Sequence, residues 1–238
     1  MKINILSPHI DDAGYCLALT ISALINQNIP VSIINCFTIT KWTIVFVSKD
    51  INEVTLIRKN EDIEFYKSYK VPVPIVNLDL LDAPLRNGFI FNEKPFEEIE
   101  WKVVEELKVR LDTEFNGILF CPLAIGNHVD HQICREAVIQ LYENRKVIFF
   151  EDLPYANRIS ESEICLHVAQ LEDRLKVKLT SHVHVPQNCT LNKEQCVRLY
   201  KSQLTDEICG EIISHFNNLR GERLWGEAET IEAIKLYL

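Results

Sequence analysis

Five short, largely apolar runs, at residues 3–6, 31–37, 74–78, 117–121 and 146–150, constrain this chain more than anything else in it. Each is too short for a core helix. Between them lie longer stretches whose apolar residues recur at helical spacing. Leu17, Ile21, Leu24 and Ile25 mark the first such stretch, over 12–26, and others cover 54–69 and 96–111. After residue 127 the string HVDHQICREAVIQLY keeps the same period. A continuous apolar strand such as VSIINCF suits burial on both faces. Strands that alternate with helices form a parallel sheet with right-handed crossovers. The expected fold is therefore α/β: a Rossmann-like, mostly parallel sheet with helices on both faces. Beyond about residue 155 the pattern turns helical, with strand-like alternation only over 177–185. One domain is expected, with a core at about 1–155 and a helix-rich C-terminal extension at about 156–238.

The chain carries a net charge of −9 and a pI near 5.3. That balance argues against a nucleic-acid or anionic-membrane partner, both of which need a clustered basic face. No apolar run approaches the roughly 18 residues of a membrane span. The longest candidates, at 16–25 and 43–47, are broken by polar residues. No apolar stretch of about 7–15 residues follows Met1, as a secretory signal would require, so a cytoplasmic protein is expected. Eight cysteines (16, 36, 121, 134, 165, 189, 196 and 209) contain no C-x-x-C pair. They read as reduced, mostly buried thiols rather than as disulfides or a cysteine zinc site.

In a parallel sheet, ligands bind outside the carboxyl ends of the strands. Two ionisable clusters fall there: SPHIDD after the first run and NHVDH after the fourth. Asp11 and Asp12 are adjacent like charges, costly near a core unless a cation lies beside them. Either one is also suited to the blander task of capping the following helix. His9 with Asp12, and His128 with His131, are spaced by three, which places each pair on one side of a helical turn. Catalytic zinc takes three nitrogen or oxygen ligands; His9, Asp12 and one of His128 and His131 would supply them. Asp11 and the other histidine then remain for proton transfer, a carboxylate as base and an imidazole as donor.

With these residues in view, the chain resembles the PIG-L/LmbE family of zinc-dependent de-N-acetylases. SPHIDDA and the later HVDH carry the likeness. Arg58 and Glu61, LDAPLR at 81–86, EDLPYA at 151–156, YKSQ at 200–203 and GERLW at 221–225 support it. The resemblance implies Zn²⁺ on His9, Asp12 and His131, with Asp11 as general base. It makes His128 the general acid or oxyanion stabiliser and Asp130 the residue that orients or charges it. Arg58 and Asp82 would contact the sugar. Ile10 replaces the family's usual proline and Ala13 its glutamate, which alters turn rigidity and one polar contact but no ligand.

The implied reaction is hydrolysis of the N-acetyl group of an N-acetylglucosamine-type amino sugar, a small-molecule substrate. The acidic charge favours a polycationic product, so the expected substrate is an aminoglycoside antibiotic precursor of the 2'-N-acetylparomamine type. Other conjugates, a thiol-cofactor precursor or a chitin disaccharide, are the alternatives. A Mg²⁺-dependent phosphoryl or nucleotidyl transferase would need a phosphate cradle. The chain has seven glycines, no G-x-G-x-x-G and no GK[ST], and Mg²⁺ disfavours histidine. A sugar-binding module without catalysis would be expected to have lost Asp11 or His128. His167, His182, His184 and His215 show no partner pattern, the acidic run at 93–106 reads as a solvated helix face, and Trp42, in a loop-like stretch, reads as packing.

Overall fold

Ile3, Ile5 and Leu6 are fully buried, and so is Asn4 between them. The first apolar run is therefore a strand covered on both faces, as its composition requires. The computed structural model describes residues 1–88, 90–91, 95–186 and 191–238. In chain order its regular elements are β1 (Ile3–Ser7), α1 (Asp12–Asn26), β2 (Val31–Asn35), α2 (Ile51–Lys67), β3 (Ile75–Asn77), α3 (Ala83–Arg86), α4 (Glu98–Glu114) and β4 (Ile118–Pro122). They continue with α5 (Val129–Ile139), β5 (Val147–Phe150), α6 (Glu161–Leu175), β6 (Thr180–His184), α7 (Lys193–Val197), α8 (Asp206–Leu219), β7 (Glu222–Gly226) and α9 (Ala228–Lys235).

One seven-stranded sheet runs in the order β3-β2-β1-β4-β5-β7-β6. All pairings from β3 to β5 are parallel, while β7 lies antiparallel to both β5 and β6. The chain leaves β1 toward β2 on one side and later returns as β4 on the other. The strand order thus reverses between β1 and β4, where an open α/β sheet forms its ligand crevice. SPHIDD and NHVDH follow those two strands.

The structure corrects three expectations. The C-terminal part contributes two strands rather than one: the sequence pattern did not mark β7. Its second and third letters in GERLW are charged, yet Glu222 is buried, accepting the Leu19 and Thr20 amides of α1 at 3.1 and 2.7 Å and pairing with Lys193. A strand whose buried charges are paired internally does not look apolar. Neither Asp11 nor Asp12 caps α1 in the usual way: Asp11 stands at the cap position without a side-chain bond, and Ser7 Oγ accepts from the Ala13 amide instead. The acidic run is not wholly solvated either; residues 93 and 94 lie outside the described residues, but Glu100 is buried, accepting from Asn87 and from the Glu97 amide.

No disulfide joins the described cysteines, and Cys189 lies outside the described residues. Gly14 lets Tyr200 of the extension press onto α1: a Cβ there would stand 2.6 Å from the Tyr200 ring. The extension is thereby packed directly behind the crevice.

Candidate active site

The turn after β1 is wound by its own polar groups. Ser7 Oγ donates to the His9 carbonyl, and the His9 amide donates to Asp12 Oδ2 at 2.7 Å. On the other side of the crevice, His128 caps α5. Its Nδ1 accepts from the Asp130 amide at 3.2 Å, and His131 follows three residues later on the first turn. The two clusters meet. His9 and His128 have ring centroids 4.6 Å apart, and the three imidazoles lie mutually within 5.2 Å.

Three atoms form a nearly equilateral triangle. His9 Nδ1 and Asp12 Oδ2 are 3.2 Å apart, His131 Nε2 and Asp12 Oδ2 3.3 Å, and His131 Nε2 and His9 Nδ1 3.3 Å. A tetrahedral zinc site with bonds of about 2.0–2.1 Å has ligand-to-ligand edges of about 3.3–3.4 Å. His9, His128 and His131 also offer nitrogens within 4.8 Å of one another. The smaller triangle fits a metal better, because its edges match and because His128 Nδ1 is already committed to the Asp130 amide.

The outer contacts support the same reading. His131 Nδ1 lies 2.6 Å from Asp152 Oδ1, and His9 Nε2 lies 3.0 Å from Asp130 Oδ2. Each histidine thus has one nitrogen held by a buried carboxylate and the other facing the triangle, the arrangement that orients a metal-bound imidazole. Burial by itself would lower the His9 pKa, but the hydrogen bonds and charges of Asp12 and Asp130 raise it to about 9. His131 is likewise raised well above its ordinary value, burial being outweighed by Asp12 and Asp152. Asp12 and Asp130 remain ionised despite their burial, held down by these imidazoles. The crevice therefore demands two positive charges among its carboxylates. A divalent cation can replace two protons, charge for charge, and the nitrogen-rich donor set suits zinc rather than Mg²⁺.

Asp11 stands outside the triangle. Arg58 Nη2 donates to its Oδ1 at 2.7 Å, with Arg58 nearly buried. Behind Arg58, Asp62 is pushed up to about 7 by burial, its oxygens held by Asn35 and Tyr200. His128 is driven well below its usual pKa, first by burial and then by the positive charge of His9 and His131. It is a neutral imidazole at pH 7, and because Nδ1 accepts a hydrogen bond its proton resides on Nε2.

All eight residues singled out from the sequence converge on this crevice, but Asp130 has different neighbours from those expected. The Asp130 carboxylate does not face His128; it accepts from His9, from the Ala83 amide at 2.9 Å and from Arg86 at 2.6 Å. Only its backbone amide touches His128. Arg58 lines the cleft but is engaged with Asp11. Asp82 also lines it, yet its oxygens are occupied by Thr40 Oγ1 and the Leu85 amide, and burial raises its pKa. Sequence reasoning gave no role to Asp152 or Arg86, although both lie in quoted segments. Asp152 follows β5, so the rule that found the first two clusters, carboxylates just past a parallel strand, applies to it equally.

The cleft above these groups has a volume of about 300 Å³. Its floor is His9, Asp11, Asp12, His128 and His131, and its walls are mostly apolar: Trp42, Ile44, Pro84, Phe91, Leu153 and Ile208 among them.

A family model described as PIG-L, GlcNAc-PI de-N-acetylase, matches residues 4–142, more than half of the chain. No curated protein sequence matches. Among solved structures, a teicoplanin deacetylase in its zinc-inhibited form superposes with a TM-score of 0.68 at 18% identity, covering 94% of this chain and 97% of its own. A deacetylase of the A40926 pseudoaglycone gives 0.67 at 18% identity, covering 94% and 96%. N,N'-diacetylchitobiose deacetylase from Pyrococcus horikoshii, complexed with an inhibitor, gives 0.55 at 19% identity, covering 94% and 82%. At these identities the likeness establishes the fold.

Proposed function

The chain belongs to the PIG-L family and is a de-N-acetylase, and from that premise we propose that it hydrolyses the acetamide of an N-acetylglucosamine-type sugar with zinc held by His9, Asp12 and His131. The observation that carries this reading is the triangle of 3.2, 3.3 and 3.3 Å with the Asp11 carboxylate, outside the triangle and paired with Arg58, beside it. Zinc in that position would polarise the acetyl carbonyl and acidify the attacking water.

The chain's own groups supply the proton traffic. Asp11, steadied by Arg58, takes a proton from the water whose oxygen bonds to the acetyl carbon. The neutral His128 donates from Nε2 to the developing oxyanion, a stabilisation that works because the donor is fixed before the charge appears. Burial holds His128 below its usual pKa, which suits it to donate this hydrogen bond as a neutral ring rather than to carry the proton itself. Asp11 therefore returns the one it took, the C–N bond breaks, and acetate and the free amine leave. Asp130 and Asp152 hold the two histidines in the tautomers that present a lone pair to the metal.

For the aglycone, the local site speaks against the net charge. A polycationic partner of the N-acetylparomamine type would need unengaged carboxylates, and the described lining offers only Asp11, Asp12 and Asp82, all of them engaged. The walls suit an apolar or neutral group better. Acetate release from a panel of N-acetylglucosaminides by the zinc-loaded protein tests the proposal; no release by wild type, or undiminished release by Asp11→Asn, would refute it.

A further inference from the structure

Two tyrosines meet at the crevice, and only one of them has a hydrogen-bond partner. Tyr15, on the first turn of α1, and Tyr200, from the extension, pack edge to face with ring centroids 5.5 Å apart. Tyr200 Oη donates to Asp62 Oδ1 at 2.9 Å. Tyr15 Oη reaches no donor or acceptor among the described residues, although Tyr15 is only 3% exposed.

A buried hydroxyl without a partner gives up its hydration for nothing, so folded proteins keep few of them. Burial alone does not make such a group functional. Tyr66 Oη is buried and unpaired in the same way, but Tyr66 is not part of the cleft wall. Tyr15 lines the cleft, together with Asp11 and Arg58. Its amide donates to the Asp11 carbonyl at 2.9 Å, so the two side chains stand one turn apart on the same face of α1.

The charged groups on that wall already hold each other, Arg58 Nη2 donating to Asp11 Oδ1 at 2.7 Å. The phenol remains as a neutral group. Burial, and then the Asp11 charge beside it, push its pKa well above the usual value, so it keeps its proton at pH 7. A phenolic hydroxyl can both donate and accept, and another hydroxyl is its natural complement. Asp11 serves the water that attacks the acetyl carbon. A group one turn further along, about 5.4 Å away, meets the sugar ring beyond the acetamide.

Resting on the N-acetylglucosamine-type reading of the substrate, we propose that Tyr15 Oη hydrogen-bonds the 3-hydroxyl of the sugar. That hydroxyl sits on the carbon next to the one bearing the acetamide, whose other neighbour carries the aglycone. The Tyr15 hydroxyl then contributes to recognition and not to holding the fold. A sugar without the 3-hydroxyl leaves it unpaired, which makes Tyr15 a specificity-determining residue.

Tyr15→Phe removes the hydroxyl and keeps the ring against Tyr200. Glucosamine, the product of the proposed reaction, has the same ring hydroxyls and is not turned over, so its binding to the zinc-loaded protein can be titrated without activity. Tyr15→Phe should weaken that binding about 10-fold, from one hydrogen bond lost, and Tyr66→Phe should leave it unchanged. Wild type should bind 3-deoxyglucosamine as weakly as Tyr15→Phe binds glucosamine, and the variant should not distinguish the two sugars. Urea unfolding of sugar-free Tyr15→Phe should have a midpoint no lower than wild type, since no bond within the fold is lost.

A lowered midpoint with unchanged glucosamine binding would overturn the proposal, because the hydroxyl would then be bonded inside the fold. So would absence of glucosamine binding by wild type, or equal discrimination against the 3-deoxy sugar by wild type and Tyr15→Phe. The two readings fail separately. A wild type that shows this binding pattern but releases no acetate refutes the deacetylase reading and leaves the contact standing. A wild type that releases acetate with kcat and KM matched by Tyr15→Phe refutes the contact alone.

Discussion

Replacing Asp152 by Asn changes one atom and should loosen the metal. Asp152 has no exposed surface, and its two oxygens serve two donors: Oδ1 takes His131 Nδ1–H at 2.6 Å and Oδ2 the Ile125 amide at 3.0 Å. An asparagine has only one oxygen to offer. If its amide nitrogen faces Ile125, two buried donors oppose each other and a backbone N–H goes unpaired, at about 1–3 kcal/mol. If it faces His131, the ring must accept at Nδ1, so its proton moves to Nε2 and points into the ligand triangle. The second arrangement keeps the backbone satisfied and should prevail. Metal binding must then restore the less favourable arrangement. Loss of such an outer carboxylate typically lowers metal affinity by about 10–100-fold, or about 1.4–2.7 kcal/mol at 1.36 kcal/mol per decade. Chelator competition measures the affinity, and ¹⁵N shifts of His131 in the metal-free variant report the tautomer. The fold should be retained, with a lower unfolding midpoint without metal, because Asp152 also holds up the His131 pKa. Wild-type affinity in Asp152→Asn would refute the argument that this carboxylate orients a ligand.

Asp11→Asn and His128→Ala should each keep metal and fold while kcat falls by about 10²–10⁴, the usual worth of a positioned proton-transfer or oxyanion group; metal loss in Asp11→Asn would instead make it a ligand. In the metal-free protein, the folded pKa of His9 is raised from 6.5 to about 9. Its stabilising contribution is therefore full below 6.5 and lost as pH rises through about 9. Unfolding of the metal-free protein should show that decline, and calorimetry in buffers of different ionisation heat should find about two protons released per metal at pH 7. Glu222→Ala should destabilise by about 3–5 kcal/mol, because it strands buried Lys193 and two amides of α1; urea unfolding within 1 kcal/mol of wild type would show that water replaces them. Finally, kcat/KM should favour an N-acetylglucosaminide with a neutral apolar aglycone over a cationic pseudodisaccharide, and a reversed order would restore the expectation drawn from net charge.

The period of the apolar residues was enough to read five strands of a parallel sheet and to set SPHIDD and NHVDH at the ends of two of them, because burial on both faces leaves an unbroken apolar run. It also brought His9, Asp12, His128 and His131 together, since residues spaced by three at the start of a helix share one side. What the sequence could not express was which partner each polar group takes. Asp130 lies two residues from His128 in the chain yet aims its carboxylate at His9, 121 positions away, because the two strand ends are neighbours only in the folded sheet. Asp11 with Arg58, His131 with Asp152, and the burial of Glu222 in β7 are likewise contacts between distant segments. Charged residues carry no periodic signature when their burial is compensated by a partner from elsewhere in the chain. The apolar pattern therefore determined the frame, and the tertiary structure alone decided which carboxylate steadies which imidazole, and with it which atoms face the ligand triangle.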